Sequence, residues 1–400
     1  MAALAVGTLA LGTASVAVAA PDGVPVAHPG TISMWGSTHT VPTDTDITAI
    51  STGWSHSVAL KSDGHIVMWG GTGVGQRNDL PTDGGYIAVA AGWEHAVALK
   101  ADGHIVTWGS NAKGQRNDAP TGDGYIAIAS GWNHSVALNE DGTIVTWGNS
   151  QSGQRNGAPT GDGYTAIAAG GEHAVALKSD GSIITWGGSS SGEQEDHPVG
   201  PGYTAIAAGG YHSVALKADG TITMWGANTN EQRDQVPTDG GYTTIAAGLG
   251  HSLALKTDGT ITIWGNNESG QLTGIPTGNG YAAISADSNH SVALKSQTSP
   301  TITGTPDLSL VNSPYEYRFT VTGYPTPTVT HTAGTLPTGL NLSTAGVLSG
   351  TPTVAGTYTF SVTAGNGDGN DATLPVVFAV NEAPVTPEQP SLGSLEGFGS

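Results

Sequence analysis

The sequence predicts an all-β protein: a seven-bladed β-propeller with three-stranded blades, followed by an immunoglobulin-like β-sandwich. Three features predict the propeller: a histidine that recurs every 39 residues, a Trp-Gly pair that also occurs seven times, and short runs of alternating apolar residues in each copy. The histidines are His56, His95, His134, His173, His212, His251 and His290, and the tryptophans are Trp35, Trp69, Trp108, Trp147, Trp186, Trp225 and Trp264.

The order of the two motifs at the chain ends indicates a closed ring. The first Trp-Gly unit, Gly30–Gly36, has no histidine half before it, and the last histidine half, Tyr281–Lys295, has no Trp-Gly after it. Together the two fragments make one complete unit, which a ring requires and an open solenoid does not. We therefore expect the strand Thr31–Trp35 to pair with Ala282–Ser285 and His290–Leu294, so that neither chain end leaves an open sheet edge.

A single copy, Tyr164–Gly187, shows how each blade is built. Period-two apolar alternation predicts three strands, which are Thr165–Ala169, Ala174–Leu177 and Ser182–Trp186. Gly170-Gly171-Glu172 forms the first turn, and Asp180-Gly181 is a favoured two-residue hairpin signal. Each unit is thus a three-stranded antiparallel sheet, one strand fewer than the usual propeller blade.

The pattern A-I-A-A-G-x-x-H-x-x-A-L-K-x-D-G-x-I-x-x-W-G in Ala166–Gly187, with Gly-Gln shortly after it in other copies, resembles the regulator of chromosome condensation repeat. The compressed period and the Val/Ala-Pro step between copies, as at Ala119-Pro120, are more similar to secreted propellers that inhibit β-lactamases. This resemblance covers residues 30 to 296 and implies the fold. The nuclear members act on a small GTPase and chromatin, and such nucleotide exchange is the least favoured function here.

Composition restricts the possible partners and the location. Twelve basic against 32 acidic residues give a net charge of -20, which argues against nucleic-acid binding. The first 20 residues are small and apolar and end in Ala17-Val18-Ala19, which predicts a signal peptide over 1–19, with a leader over 20–29. A membrane span is disfavoured because this run contains Gly, Thr and Ser. We expect a secreted or cell-surface bacterial protein that, without cysteines, is held together by core burial alone.

The repeats end near Lys295, and residues 299–381 form a second module after the propeller over 30–296. Alternating runs predict the strands Glu316–Val321, Thr328–His331, Thr357–Val362 and Thr373–Val380. The segments Leu336–Leu342 and Gly346–Pro352 resemble immunoglobulin-like modules of bacterial surface proteins. Asp368 to Asp371 are either a plain acidic turn, which is favoured, or a calcium site. Residues 382–400 are a Pro/Ser/Gly-rich tail.

Seven-fold repetition argues that the histidines and tryptophans serve the fold. We predict that the histidine side chains bond backbone at the strand starts and that the tryptophans pack between blades. Adjacent pairs such as His56-Ser57 are not a nucleophile pair, because neighbouring strand residues point to opposite faces. No metal site and no cofactor are expected.

Candidate binding residues are found where the copies differ, at the hairpin tip just before each histidine. Three consecutive copies carry a tryptophan there, and a fifth copy carries a tyrosine, whereas other copies have Gly, Leu or Ser. Clustered aromatic residues beside polar ones are typical of protein interfaces. The resemblance to inhibitory propellers implies a partner interface for the aromatic residues, unless they only pack against neighbouring tips. The predicted binding residues are Trp54, Trp93, Glu94, Trp132, Asn133, Glu172 and Tyr211.

The loops between copies repeat Gln-Arg-Asn, in Gln76–Asp79, Gln115–Asp118 and Gln154–Asn156. A set of loops that bond to one another is the favoured interpretation. The alternative is a glycan-contacting surface, because Gln, Asn and Arg suit sugar hydroxyls.

These observations predict a monomeric, non-catalytic binding protein that recognises an extracellular protein or a cell-wall glycan through one propeller face. One alternative is inhibition of a β-lactamase. Another is a propeller hydrolase or lyase that uses His65, His104, Glu94 or Glu172, although no acid and base can be placed together from the sequence.

Overall fold

The computed structural model describes residues 30–36, 39–44, 46–71, 79–188, 192–229, 231–296, 298–324, 326–367 and 370–382. The chain divides into two compact units, Met1–Gln297 and Thr298–Ser400. Every regular element within the described ranges is a β-strand, so none of them is a helix that could cross a membrane. The predicted signal peptide and leader, and the predicted tail beyond residue 382, lie outside the described residues.

The first unit contains six blades of three consecutive antiparallel strands each. The strands are β2 (Ile47–Thr52), β3 (His56–Lys61) and β4 (Ile66–Gly70); β5 (Tyr86–Ala91), β6 (His95–Lys100) and β7 (Ile105–Gly109); β8 (Tyr125–Ser130), β9 (His134–Asn139) and β10 (Ile144–Gly148); β11 (Tyr164–Ala169), β12 (His173–Lys178) and β13 (Ile183–Gly187); β14 (Tyr203–Ala208), β15 (His212–Lys217) and β16 (Ile222–Gly226); and β17 (Tyr242–Ala247), β18 (His251–Lys256) and β19 (Ile261–Gly265). The predicted strands of the repeat agree with these bounds to within one residue.

The two ends of the propeller chain form the seventh blade. Its strands are β20 (Tyr281–Asp287), β21 (His290–Ser296) and β1 (Gly30–Gly36). β1 pairs antiparallel with β21 along its whole length, from Gly30 opposite Ser296 to Gly36 opposite His290. The first strand of each blade contacts the first strand of the next, and β20 contacts β2, so the ring is closed. The predicted seven-bladed propeller is confirmed.

The hydrophobic core of the propeller lies between neighbouring blades. All seven Trp-Gly tryptophans are buried, with at most 4% of their surface exposed. Trp147, for example, packs with Val97 and Leu99 of the preceding blade. A three-stranded blade has two apolar faces, and it buries both only by stacking against neighbours on each side. The predicted packing role of these tryptophans is confirmed.

The second unit contains nine strands in its described ranges. They are β22 (Thr298–Thr303), β23 (Ser309–Leu310), β24 (Tyr315–Arg318), β25 (Thr320–Tyr324), β26 (Thr328–Gly334), β27 (Leu340–Leu342), β28 (Val347–Gly350), β29 (Gly356–Gly365) and β30 (Ala372–Asn381). The predicted single strand Glu316–Val321 is wrong, because it is broken at the buried Phe319. β24 pairs with β28, whereas β25 pairs with β22 in another sheet.

Candidate partner-binding face

The repeated histidines lie between the blades, and five of the seven bond a serine side chain of the next blade. His95 Nε2 lies 2.8 Å from Ser135 Oγ, and the same bond, 40 residues apart, recurs in later blades. His290 closes the ring with a bond of 3.2 Å to Ser57 Oγ. The prediction of backbone partners is therefore wrong for these histidines. Stacking the blades places the serine that follows one histidine against the imidazole of the preceding blade.

Two histidines lack this serine. Ala96 faces the position that a serine would occupy for His56, and Ala174 does the same for His134. The ring nitrogens of His56 have no hydrogen-bond partner in the described part of the chain. Those of His134 have no side-chain partner there, and only a weak contact with the backbone of His173 opposes the lowering of its pKa. The alternation of His-Ser and His-Ala was the sequence signal that could have identified the pairs.

Burial lowers the pKa of every ring histidine, to about 3 or 4. Desolvation of the imidazolium is the largest cause in each case. The seven imidazoles are therefore neutral at pH 7. Their symmetry and burial give them a structural role between the blades.

The aromatic tip residues form a continuous row, which we call the aromatic arc (Trp54, Trp93, Trp132 and Tyr211). The ring centroids of Trp54 and Trp93 lie 4.9 Å apart, and those of Trp93 and Trp132 lie 4.8 Å apart. Trp132 meets Tyr211 edge to face at 5.2 Å. All four residues follow the first strand of their blade, so they lie at the same end of the propeller.

The arc passes over a blade that has no aromatic tip residue. At this tip stands Gly171, where an added Cβ would lie 3.0 Å from Cε2 of Trp132. The absence of a side chain thus lets the Trp132 ring lie across this blade and reach Tyr211. Gly171 therefore contributes to the arc by leaving room for the contact between Trp132 and Tyr211.

The arc is packed on its sides and open on its top. The side chain of Trp54 is 46% exposed, and those of the other three arc residues are partly exposed. Edge-to-face and tilted aromatic contacts fix the rings relative to one another, so little rotamer entropy remains to be lost when a partner binds. The tip residues therefore pack against neighbouring tips and also keep exposed surface, and their role in a partner interface stays a prediction.

The predicted polar binding residues lie in the same tips as the arc, and they differ in whether a hydrogen bond holds the side chain. Asn133 Oδ1 accepts a bond of 3.0 Å from Nε2 of Gln115, so this amide is held by the neighbouring loop. Glu172 Oε2 accepts a bond of 2.9 Å from Ser152 Oγ. Glu94 is partly exposed beside Trp93. Burial, followed by the charges of Glu172 and Glu193, raises the pKa of Tyr211, so its hydroxyl stays protonated and can donate.

The loops between blades brace this face. Gln115 is buried, its Oε1 accepts the Lys113 N–H, and its carbonyl accepts the Trp147 indole N–H at 2.9 Å. Arg116 bonds Asp79 of the preceding loop at 2.9 Å, and Arg155 bonds Asp118 at 2.8 Å. The described loops therefore bond to one another, as the favoured interpretation predicts; Gln76 to Asn78 lie outside the described residues.

The residues of the hydrolase alternative do not meet at one site. His65 and His104 lie in the hairpins between second and third strands, at the opposite end of the blades from Glu94 and Glu172. Each imidazole instead contacts the aspartate two residues before it, at 3.2 and 3.1 Å. Within the described residues no three His, Asp or Glu side chains are grouped to hold a metal ion. Asp368 of the possible calcium turn lies outside those residues.

Family comparisons agree with this geometry. The model described as Regulator of chromosome condensation (RCC1) repeat matches residues 47–76, 86–115, 125–154, 164–193, 203–232 and 242–271. The chain contains RCC1 repeats. Each match begins at the first strand of a blade and ends at a Gln or Glu. In four copies the backbone carbonyl of that residue accepts the indole N–H of the next Trp-Gly tryptophan. A model described as Putative Ig domain matches residues 300–381. No curated protein matches the chain.

Solved structures share the propeller fold at low sequence identity. Prp20p from Saccharomyces cerevisiae is 18% identical, with a TM-score of 0.56 over 68% of this chain and 92% of that one. Human WBSCR16 is 17% identical, with a TM-score of 0.53 over 70% and 96%. The CRINKLY WD40 ectodomain of the Arabidopsis thaliana receptor kinase ACR4 is 20% identical, with a TM-score of 0.53 over 62% and 93%. The Prp20p structure is described together with its binding to Gsp1p and histones. At these identities the likeness concerns the fold alone.

Proposed function

We propose that this chain is a secreted or cell-surface, non-catalytic binding protein whose RCC1-repeat propeller recognises a protein partner through the aromatic arc. The observation that carries the proposal is the arc itself, a fixed and partly exposed row of three tryptophans and one tyrosine. The fold does not require aromatic residues at these tips, because the blades with Gly171, Leu249 and Ser288 close equally well.

The chemistry of the arc favours a protein over a polysaccharide. Tryptophan and tyrosine are enriched among the residues that dominate protein–protein binding energy, especially where neighbouring contacts exclude water. The repeated Gln and Arg side chains that could have served a glycan are instead used within the protein, since Gln115 is buried and Arg116 pairs with Asp79.

The binding test compares the native full chain with one triple variant and one double variant. Trp54→Ala/Trp93→Ala/Trp132→Ala removes most of the arc, and Ile87→Ala/Ile126→Ala removes two exposed apolar side chains near the other end of the first strands. Affinity capture from bacterial culture supernatants and cell envelopes should recover a protein with the native chain and the isoleucine variant. The tryptophan variant should lose it by at least a hundredfold in affinity. Equal capture by all three would refute binding through the arc.

Inhibition of a β-lactamase is the more specific alternative, supported by the resemblance of the repeat period and by the position of the aromatic residues. A panel of class A β-lactamases assayed with the native chain and the tryptophan variant tests it. Inhibition at nanomolar concentration that the tryptophan variant lacks would support this function. Full β-lactamase activity at micromolar concentrations of the propeller protein would refute the inhibitor function. The general binding function would then be tested by affinity capture.

A further inference from the structure

A cavity of about 60 Å³ lies on the axis of the propeller, beside the aromatic arc. All seven blades line it, through the ends of their first strands and the turns that follow them. Most of the lining is Ala, Ile and Gly, together with a few hydroxyl groups, and Trp132 of the arc forms part of its wall. The cavity and the proposed interface are therefore continuous.

Asp287 breaks the symmetry of this cavity. The other six blades have glycine at the same repeat position: Gly53, Gly92, Gly131, Gly170, Gly209 and Gly248. A Cβ on Gly92 would lie 2.5 Å from the carbonyl oxygen of Gly131, which explains the glycine. The seventh blade differs because β20 extends to Asp287, which pairs with His290 across a turn with Ser288 at a φ of 42°.

Among the residues that the structure describes, the Asp287 carboxyl has no cationic partner. Its Oδ1 accepts the Ser288 N–H at 2.6 Å, and it is the one ionisable side chain among the residues that line the cavity. Burial raises the pKa of Asp287 to about 7, and the bond from Ser288 opposes this shift only in part. The ring histidines of its own and the flanking blades, His290, His251 and His56, have pKa values lowered to about 4, 3 and 4, so they are neutral near pH 7.

We propose that this axial cavity receives a primary ammonium group, the end of a lysine side chain of the protein partner, with Asp287 as its counter-ion and Trp132 as its aromatic wall. The inference rests on the proposed function, because the lysine must belong to a protein seated on the arc. The cavity holds a partly buried carboxylate and an aromatic wall residue, and both kinds of group interact favourably with a desolvated cation. The net charge of -20 further favours a basic partner surface.

The chemistry of the cavity favours lysine over arginine. Asp287 is the one ionisable side chain among its lining residues, and its Oδ1 already accepts the Ser288 N–H. An ammonium is compact and sits on a slender apolar stem, whereas a guanidinium is a broad planar fork that needs more partners. The methylenes of the lysine would run past the ring of Trp132, as such stems do along apolar surfaces.

Binding of the ammonium should depend on pH through Asp287. Only the ionised carboxylate attracts the cation, so affinity should rise from pH 6 to pH 8. Below the pKa of Asp287 the affinity should fall by up to about tenfold for each pH unit.

The first experiment uses n-butylammonium chloride as a probe for the native full-length chain. The carboxyl ¹³C resonance of Asp287, assigned by its loss in Asp287→Asn, is titrated with pH with and without the probe. We expect the probe to lower the titration midpoint by about one pH unit, which corresponds to a tenfold preference for the ionised form. An equal shift with sodium chloride at the same ionic strength, or no shift, would overturn the proposal.

The second experiment separates this inference from the proposed function. A library of displayed dodecapeptides is selected against the native chain and against Asp287→Gly, which installs the residue of the other six blades and whose folding is checked by thermal unfolding. We expect one lysine to be enriched only with the native chain. Selected peptides that need the arc tryptophans but carry no lysine would refute the lysine site while supporting the arc. If the probe shifts the titration midpoint of Asp287 but no selected peptide needs the arc tryptophans, the result would instead support an ammonium site in the cavity and count against the arc as an interface.

Discussion

Trp93 and His95 lie two residues apart in one hairpin, yet they belong to two rings of opposite character. The seven histidines form one ring around the propeller axis. All of them are buried, and five bond a serine of the next blade. The residues at the hairpin tips differ from blade to blade, and the aromatic ones are partly exposed. Positions that every blade must fill identically maintain the stacking of blades, whereas positions that the fold leaves open can be used for recognition.

The contrast also separates two kinds of energetic consequence. Substituting one of the seven histidines or its serine partner leaves a buried polar atom unpaired or a cavity between blades. Such a substitution should lower the free energy of unfolding. A change in the arc removes surface that water already reaches, so it should affect partner binding more than stability. The following predictions test this division.

The largest effect should come from pH. In the unfolded chain each ring histidine binds a proton near pH 6.5, whereas in the folded chain it does so only near 3 to 4. Because these folded pKa values are lowered, the histidine contribution to stability is complete above pH 6.5 and is lost as the pH falls towards 4. Asp287 acts in the opposite sense, with a folded pKa of about 7. Unfolding near pH 5 should therefore take up roughly six protons.

Urea unfolding followed by tryptophan fluorescence between pH 4.5 and 7.5 measures this effect. Stability that stays constant from pH 6.5 to 5 would contradict the neutral, buried state of the ring. The isolated second unit, which has one histidine, His331, is a natural control, and it should show little change over this window.

The second prediction compares a buried tryptophan with an arc tryptophan. Trp147→Ala removes a fully buried side chain and its bond to the Gln115 carbonyl, so we expect a loss of about 3 to 5 kcal/mol in the free energy of unfolding. Trp93→Ala removes two ring contacts at the surface and should cost about 1 kcal/mol. Chemical denaturation at pH 7.5 measures both, and equal losses would erase the distinction between core and arc.

The third prediction concerns the inter-blade bond itself. Ser135→Ala removes the hydroxyl that His95 Nε2 contacts at 2.8 Å and leaves a buried nitrogen unpaired. We expect a loss of about 1 to 3 kcal/mol. Ser62→Ala, at an exposed position in a hairpin turn, is the matched control and should change stability by less than about 0.5 kcal/mol.

The smallest effect should be a gain. Ala174→Ser supplies the hydroxyl that His134 lacks, at a position where other blades already hold serine in the same register. We expect about 1 kcal/mol of added stability, because the new bond satisfies a buried imidazole without disturbing the packing. Ala96→Ser should do the same for His56. Destabilisation by both variants would show that these two blades stack differently from the others.

Much of the fold could be predicted from residues close together in the chain. Alternating apolar residues and Asp-Gly turns specify each blade locally, and the unmatched half-repeats at Gly30–Gly36 and Tyr281–Lys295 predict ring closure. The prediction failed at Phe319, where apolar alternation continues but the strand passes from one sheet to another. That break depends on contacts with distant strands, which a local pattern does not contain.

The candidate site was located from the sequence, but its construction was not. The differing tips identified Trp54, Trp93, Trp132 and Tyr211, yet nothing in the repeat indicated that Trp132 would cross the blade of Gly171. The serine partners of the histidines were missed as well, because the sequence shows Ser or Ala after each histidine but not which imidazole that residue meets. Both contacts join residues about 40 or 80 positions apart, and they depend on how one blade is staggered against the next.

By itself the sequence determined the strands, the number of blades, the closure of the ring and the positions where the blades differ, because hydrogen bonding and burial within each repeat follow a short period. Only the tertiary structure decided which side chains meet. Stacking seven similar sheets around one axis brings the tips into a row and makes Asp287, which replaces the glycine of the other six blades at the end of β20, the one ionisable side chain among the residues that line the axial cavity. The physical reason is that packing between blades sums contributions from residues far apart in the chain, whereas the repeat records only what each blade needs for itself.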